Sequence, residues 1–111
     1  MQRMRGDIWF VDLTDARGHE QGGLRPAIVL AVAHGSITIV VPLTTTQAAF
    51  SFPYSHGIEK SSQNGLSCNS AALIFQIVAL SKNRFVRKTG RCSVEDIDAI
   101  NILLKDLLSL K

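Results

Sequence analysis

At 111 residues, 46% of them apolar and only 19% charged, the chain has the size and composition of one folded domain spanning 1–111, with little left for a second core, and a disordered tail is excluded. The formal charge of +3 is modest, and a positive mean hydropathy implies apolar surface held in an interface, so an oligomer is expected. Cys68 and Cys92 form no C-x-x-C pair and no metal-ligand spacing, nothing at the start resembles a signal peptide, and no apolar run nears the roughly 20 residues of a membrane span; the expectation is a reduced, cytoplasmic protein with no metal, cofactor or membrane role.

Taken in order, GDIWFVDL at 6–13 is rich in aromatic and branched residues and reads as a first strand, followed by the polar loop TDARGHEQGG. Pro26 to Ala33 reads as a second strand, because a missing N–H costs least at a strand entrance. His34 and Gly35 make a tight turn into a third strand, Ser36 to Val41, which Pro42 is expected to stop or bulge. A cluster of Thr44, Thr45 and Thr46 then gives way to a short strand at Phe50 to Tyr54 and a polar turn around Asn64 and Gly65. Ala71 to Leu80 is almost unbroken in apolar residues and reads as one central strand buried on both faces, in which Gln76 needs a hydrogen-bonding partner.

Ser81 to Phe85 is expected to form one helical turn with Ser81 as its cap, and Val86 to Cys92 a short basic strand. Ser93 then caps a helix whose first turn carries Glu95 and Asp96 and whose apolar stripe runs through Ile97, Ile100, Leu104, Leu107 and Leu108. Ile102, Leu103 and Leu110 widen that stripe, so a second element or subunit is expected on its far side. Short hairpin-connected strands and one C-terminal helix describe a small, curved, mainly antiparallel sheet.

Arg25 opens the second strand behind two glycines. Its guanidinium presents five donors in a rigid, always-charged fork that matches phosphate oxygens; paired with Glu20 or Asp7 it is instead an ordinary strand-end ion pair. At least one of the three threonine hydroxyls should be exposed where the sheet opens, able to donate to a phosphate or accept from an attacking hydroxyl, while β-propensity and turn bonding account for two of them. Lys82, Arg84, Arg87, Lys88 and Arg91 carry five positive charges with no acid between them, facing either phosphate or solvent. Phe50 and Tyr54, beside the threonines, are candidates for stacking on unpaired bases, whereas Trp9 and Phe52 read as core or dimer contacts. His19 is suited to acid–base work near neutral pH or is idle in its loop; His34 belongs to the hairpin, and His56 either contacts a base or does nothing.

The ordered segments RGDIWFVDL at 5–13, GHEQGGLRPAIVL at 18–30, VVPLTT at 40–45, GLSCNSAAL at 65–73 and QIVALSKNRF at 76–85 resemble the MazF/PemK group of toxins, messenger-RNA endoribonucleases of toxin–antitoxin pairs. The resemblance covers nearly the whole chain. It implies an SH3-like barrel of the MazF/PemK/CcdB type, a homodimer with a groove for single-stranded RNA, an acidic antitoxin, and metal-independent cleavage by the ribose 2′-hydroxyl to leave a 2′,3′-cyclic phosphate and a 5′-hydroxyl. It further implies catalytic roles for Arg25 and Thr44, assistance from His19, and an RNA groove bordered by Glu20, Gln21, Gly22 and Gly23. Thr45, Thr46, Phe50, Tyr54, His56, Lys82, Arg84, Arg87 and Lys88 complete the RNA-binding set. The chain departs from the pattern at Leu73, Phe75 and Val78, where members carry charged residues, so a noncatalytic protein of this fold with a protein target, as in CcdB, and an RNA-binding module are the alternatives.

Overall fold

The computed structural model describes residues 2–14 and 23–110. Three strands form its centre: β1 (Asp7–Asp12), β2 (Leu24–His34) and β3 (Ile37–Thr44), with Gly35 and Ser36 turning the β2–β3 hairpin. Alternation along β2 explains why both of its faces are buried. Ile28 and Leu30 enter the main core with Ile8, Val41, Leu43 and Ile58, whereas Ala27 and Val29 enter a second core with Trp9, Val11, Val40 and Phe85. Trp9 is 3% exposed and meets Phe85 edge-on at 5.9 Å, so it is a core residue.

The remaining strands are β4 (Ser55–Ile58), β5 (Ser70–Leu73), β6 (Val78–Ser81) and β7 (Phe85–Arg91). All pairings are antiparallel: β7 borders β1, β4 borders β5, and the outer edge of β3 is shared by β6 and β5. The sheet is thus the mainly antiparallel one expected.

Three local expectations are corrected. Ala71 to Leu80 is not one strand: a 3-10 turn, Ile74–Gln76, separates β5 from β6. Leu43 faces Ala72 while Val40 faces Val78, so the two residues of β3 between them are matched by five on its neighbour. The break lies opposite Val41 and Pro42, and proline has no N–H to offer a neighbouring strand. Pro42 therefore does not end β3, which runs on to Thr44. Phe50 to Tyr54 is no strand either; Gln47–Ser51 is a 3-10 turn, and Tyr54 has φ 57°, a left-handed conformation incompatible with a strand. Finally, Lys82–Arg84 is a 3-10 turn as expected, but Ser81 does not cap its backbone; the hydroxyl donates to the Asn83 side chain.

Helix α1 (Val94–Leu107) begins as the sequence predicts, with the Ser93 hydroxyl accepting from the Asp96 N–H at 3.1 Å. Ile97, Ile100, Leu103, Leu104 and Leu107 pack on the main core, leaving Val94, Ile102, Leu108 and Leu110 exposed. Among the described residues no helix is long and apolar enough to cross a membrane.

One loop is fixed tightly against β7 and carries a wall of the site. Asn64 accepts from the N–H groups of Ser61 and Leu66 and donates to the Glu59 carbonyl. Gly65 and Gly90 let its backbone touch that of β7: a Cβ on Gly90 would stand 2.2 Å from the Gln63 carbonyl oxygen.

Candidate functional site

At the end of the sheet where β1 finishes and β2 begins there is a cleft of about 160 Å³. The strand register brings its chemistry together. Ala27 faces Pro42, and two residues further along each strand, on the same face, stand Arg25 and Thr44. Both line the cleft with Thr45; Phe10, Leu24 and Leu66 supply apolar surface, and Ser67, Cys68 and Ser70 form the wall that the Asn64 loop holds in place.

Thr44 is only 2% exposed. Its hydroxyl accepts from the Thr46 N–H at 3.2 Å and donates to the Thr46 hydroxyl at 3.1 Å. This hydroxyl-closed turn fixes Thr44 Oγ1 where β3 ends, while Thr45 and Thr46 are the exposed members of the cluster. Gly23, at φ 80°, adopts the left-handed conformation that glycine allows at the entrance to β2. Its carbonyl accepts from the Leu13 N–H at 2.8 Å, tying the end of β1 to the start of β2 beside Arg25. His19, Glu20, Gln21 and Gly22 lie outside the described residues.

The basic run divides by position. Arg91 and Lys88 both reach the buried Asp7 carboxylate, at 2.5 and 3.4 Å, so their charges serve the opposite end of β1. Arg87 lies with its guanidinium 4.7 Å from the centre of the Phe10 ring, and Phe10 lines the cleft. Lys82 and Arg84 are on the turn before β7 and do not line the cleft. The Asp12 carboxyl is held below its ordinary range, first by the Thr14 hydroxyl, then by the Thr14 N–H, with a smaller contribution from the Arg84 charge.

Three further residues expected to meet RNA are placed elsewhere. Phe50 packs with Ala49, Ala71 and Leu73 and covers Gly57. The Tyr54 hydroxyl donates to Asp106 at 2.8 Å, and that hydrogen bond, followed by the negative charge, raises its pKa. His56 Nε2 lies 2.8 Å from Asp96 in the first turn of α1. None of the three lines the cleft.

Sequence reasoning passed over Phe10, Ser67, Cys68 and Ser70. Ser67 and Cys68 sit in a short polar interruption between Leu66 and β5, and Ser70 opens that strand, a signal that gains meaning only once β5 is known to pair with the end of β3. Among the described residues no three His, Cys, Asp or Glu side chains are grouped to hold a metal.

A family model described as PemK-like, MazF-like toxin of type II toxin-antitoxin system matches residues 4–108. The chain is 33% identical to Endoribonuclease MazF9 of Mycobacterium tuberculosis, covering 96% of each protein. It is 31% identical to Endoribonuclease EndoA of Bacillus subtilis, covering 96% of this chain and 94% of that one. Among solved structures, MazF from Deinococcus radiodurans superposes with a TM-score of 0.77 at 22% identity, covering 96% of both chains. A mycobacterial endoribonuclease in complex with its cognate antitoxin gives 0.76 at 21% identity, covering 99% and 98%. At those identities the two structures speak to the fold.

Proposed function

Since the chain belongs to the PemK-like, MazF-like toxin family of type II toxin–antitoxin systems, we propose that it is an endoribonuclease that cuts single-stranded messenger RNA at the Arg25–Thr44 cleft without a metal. The observation that carries this reading is the convergence of Arg25 and Thr44 in one cleft through the β2–β3 register. RNA brings its own nucleophile, the 2′-hydroxyl, so the protein must orient the sugar and phosphate, move a proton and stabilise charge on pentacoordinate phosphorus.

In this mechanism the Arg25 fork donates to the non-bridging phosphate oxygens as charge develops on them. Thr44 Oγ1 orients the attacking group or a phosphate oxygen; an unassisted threonine is too weak a base for more than that. The 2′-oxygen bonds to phosphorus, the bond to the 5′-oxygen breaks, and the products are a 2′,3′-cyclic phosphate and a 5′-hydroxyl. His19 is the candidate for proton transfer. Arg87, over Phe10 at the rim, is suited to a neighbouring phosphate, with Lys82 and Arg84 contributing to the positive field.

The same proposal includes a homodimer, which gives the exposed residues of α1 a partner surface. It also includes an acidic antitoxin whose carboxylates occupy the phosphate positions. A noncatalytic role remains the second reading because Leu73 is a core residue and Val78 packs against the second core, so the charges that other members carry there have no counterpart. Incubation of a mixed-sequence RNA in EDTA, with mass analysis of the ends, decides between them. Cyclic phosphate and 5′-hydroxyl ends, abolished by a 2′-deoxy sugar at the scissile nucleotide, are expected; magnesium-dependent cutting or intact RNA would refute the enzymatic reading.

A further inference from the structure

The four residues Phe52, Pro53, Tyr54 and Phe75 form an apolar hollow on the surface. Phe52 is 44% and Phe75 40% exposed, and their rings meet edge-on with centroids 6.1 Å apart. Water-facing aromatic pairs forgo the favourable free energy of burial until something covers them.

This pair is held firmly. Tyr54 occupies the left-handed region at φ 57°, which costs a residue with a side chain on the order of 1 kcal/mol. Its carbonyl accepts from the Ile74 N–H at 3.0 Å and its hydroxyl is fixed to Asp106. The Ser55 hydroxyl donates to the Phe52 carbonyl at 2.7 Å. These bonds stitch the Phe52 segment to the Phe75 segment and keep both rings turned outward.

Both segments come directly from the cleft. Thr44 and Thr45 lead through the Gln47–Ser51 turn to Phe52, and Ser70 leads along β5 and one further turn to Phe75. Phe75 stands five residues past Ser70, so even at about 3.3 Å per residue it lies within roughly 17 Å of the cleft wall, a few nucleotides along a single strand and within the ~4–16 nucleotides that single-strand binders track.

We infer that Phe52 and Phe75 form a stacking platform for one unpaired base of the RNA strand leaving the cleft, an inference that rests on the proposed function. Four side chains fall far short of the roughly 800 Å² per partner of a stable protein interface, but they match one base. The Tyr54 hydroxyl is turned away to Asp106, which leaves π-faces rather than hydrogen-bonding groups as the means of recognition. Such a platform accepts any base, with purines favoured by area.

The test uses the full chain and an RNA that it cleaves, rendered uncleavable by a 2′-deoxy sugar at the scissile nucleotide. Phe52→Ala and Phe75→Ala should each weaken binding by roughly tenfold to a hundredfold, the stacking range, while Phe75→Tyr retains it and Phe75→Leu does not. An abasic residue moved along the RNA should reproduce the loss at one position, where the alanine variants then lose nothing further. Equal binding by Phe75→Leu, or no abasic position whose effect vanishes in the variants, would overturn the platform while leaving the cleavage reading intact. If the unmodified chain cleaves no RNA, both fall together. A shift in sedimentation caused by the alanine variants, with RNA affinity unchanged, assigns the patch to a protein contact instead.

Discussion

The two ends of β1 are built from the same residue types and behave differently. At its start, Gly6 at φ 92° leaves a Cβ position 3.2 Å from the Arg91 guanidinium, Arg91 and Lys88 converge on the buried Asp7, and Cys92 is buried. At its finish, Gly23 at φ 80° has nothing among the described residues within 4 Å of its Cβ position, Arg25 lines a cleft beside hydroxyls, and Cys68 is exposed. Glycine, arginine and cysteine serve packing at one end and access at the other. The residue type alone therefore does not separate an arginine paired with a buried carboxylate from one that lines a cleft; its neighbours do.

The largest expected effect breaks the packed end. Gly90→Ala drives a Cβ into the Gln63 carbonyl, backbone against backbone, and should destabilise the chain by about 3 kcal/mol or more, read by denaturant unfolding of the purified variant. Asp7→Asn should follow at about 2 kcal/mol. It replaces a fully buried acceptor of two cations and the Met4 N–H, discounted because both cations are nearly half exposed. Neither variant should slow RNA cleavage per folded molecule, and a variant that did would link the packed end to the chemistry.

The open end predicts the opposite pattern. Thr44→Ala should slow single-turnover cleavage by about tenfold, the value of one hydrogen bond near 1.4 kcal/mol, and by more than Thr45→Ala or Thr46→Ala. The two cysteines separate the ends without mutation. Burial, and then the Asp96 charge, push the Cys92 thiol up to about 12, so a thiol reagent at neutral pH should label Cys68 alone. An uncleavable RNA should protect Cys68, because it lines the cleft; undiminished labelling would move the RNA elsewhere.

The smallest effect is spectroscopic. Tyr54 is the sole tyrosine, so phenolate absorbance reports it directly. Its raised pKa, due first to the Asp106 hydrogen bond, should place the titration above the ordinary 10.0 and return it toward that value in Asp106→Ala. The linkage sign follows: a raised folded pKa makes this contribution to stability complete below pH 10 and lost as pH rises through the folded value. A titration unaffected by Asp106→Ala would remove one of the bonds that hold the aromatic corner.

Much of the fold was legible because local patterns and local causes coincided. The aromatic and branched block at 6–13, the Gly35 turn and the Ser93 cap each specify an element through nearby chemistry. Ala71 to Leu80 misled because an unbroken apolar run carries no register, and its interruption is set by Pro42 on another strand. The site followed the same division. Arg25 and Thr44 stood out through their setting and the family resemblance, whereas Cys68 and Phe75 acquire their places only through the pairing of β5 with β3 and the turn that follows it. Phe50 is packed and Phe52 exposed, the reverse of what proximity to the threonines suggested, because the chain turns at Gln47–Ser51 instead of extending.

The most direct measurement sets Arg25→Ala beside Arg91→Ala in single-turnover cleavage of RNA in EDTA, with thermal unfolding followed on the same samples. Removing one oriented donor to developing charge costs about 2.7–4 kcal/mol of transition-state energy. Arg25→Ala should therefore slow cleavage roughly 10²–10³-fold while moving Tm by only a few degrees. Arg91→Ala should lower Tm by about 4–8 °C for each kcal/mol lost and leave the rate per folded molecule unchanged. Equal rates for Arg25→Ala and the unmodified chain, or a loss in Arg91→Ala as large as in Arg25→Ala, would contradict the assignment of the chemistry to the cleft.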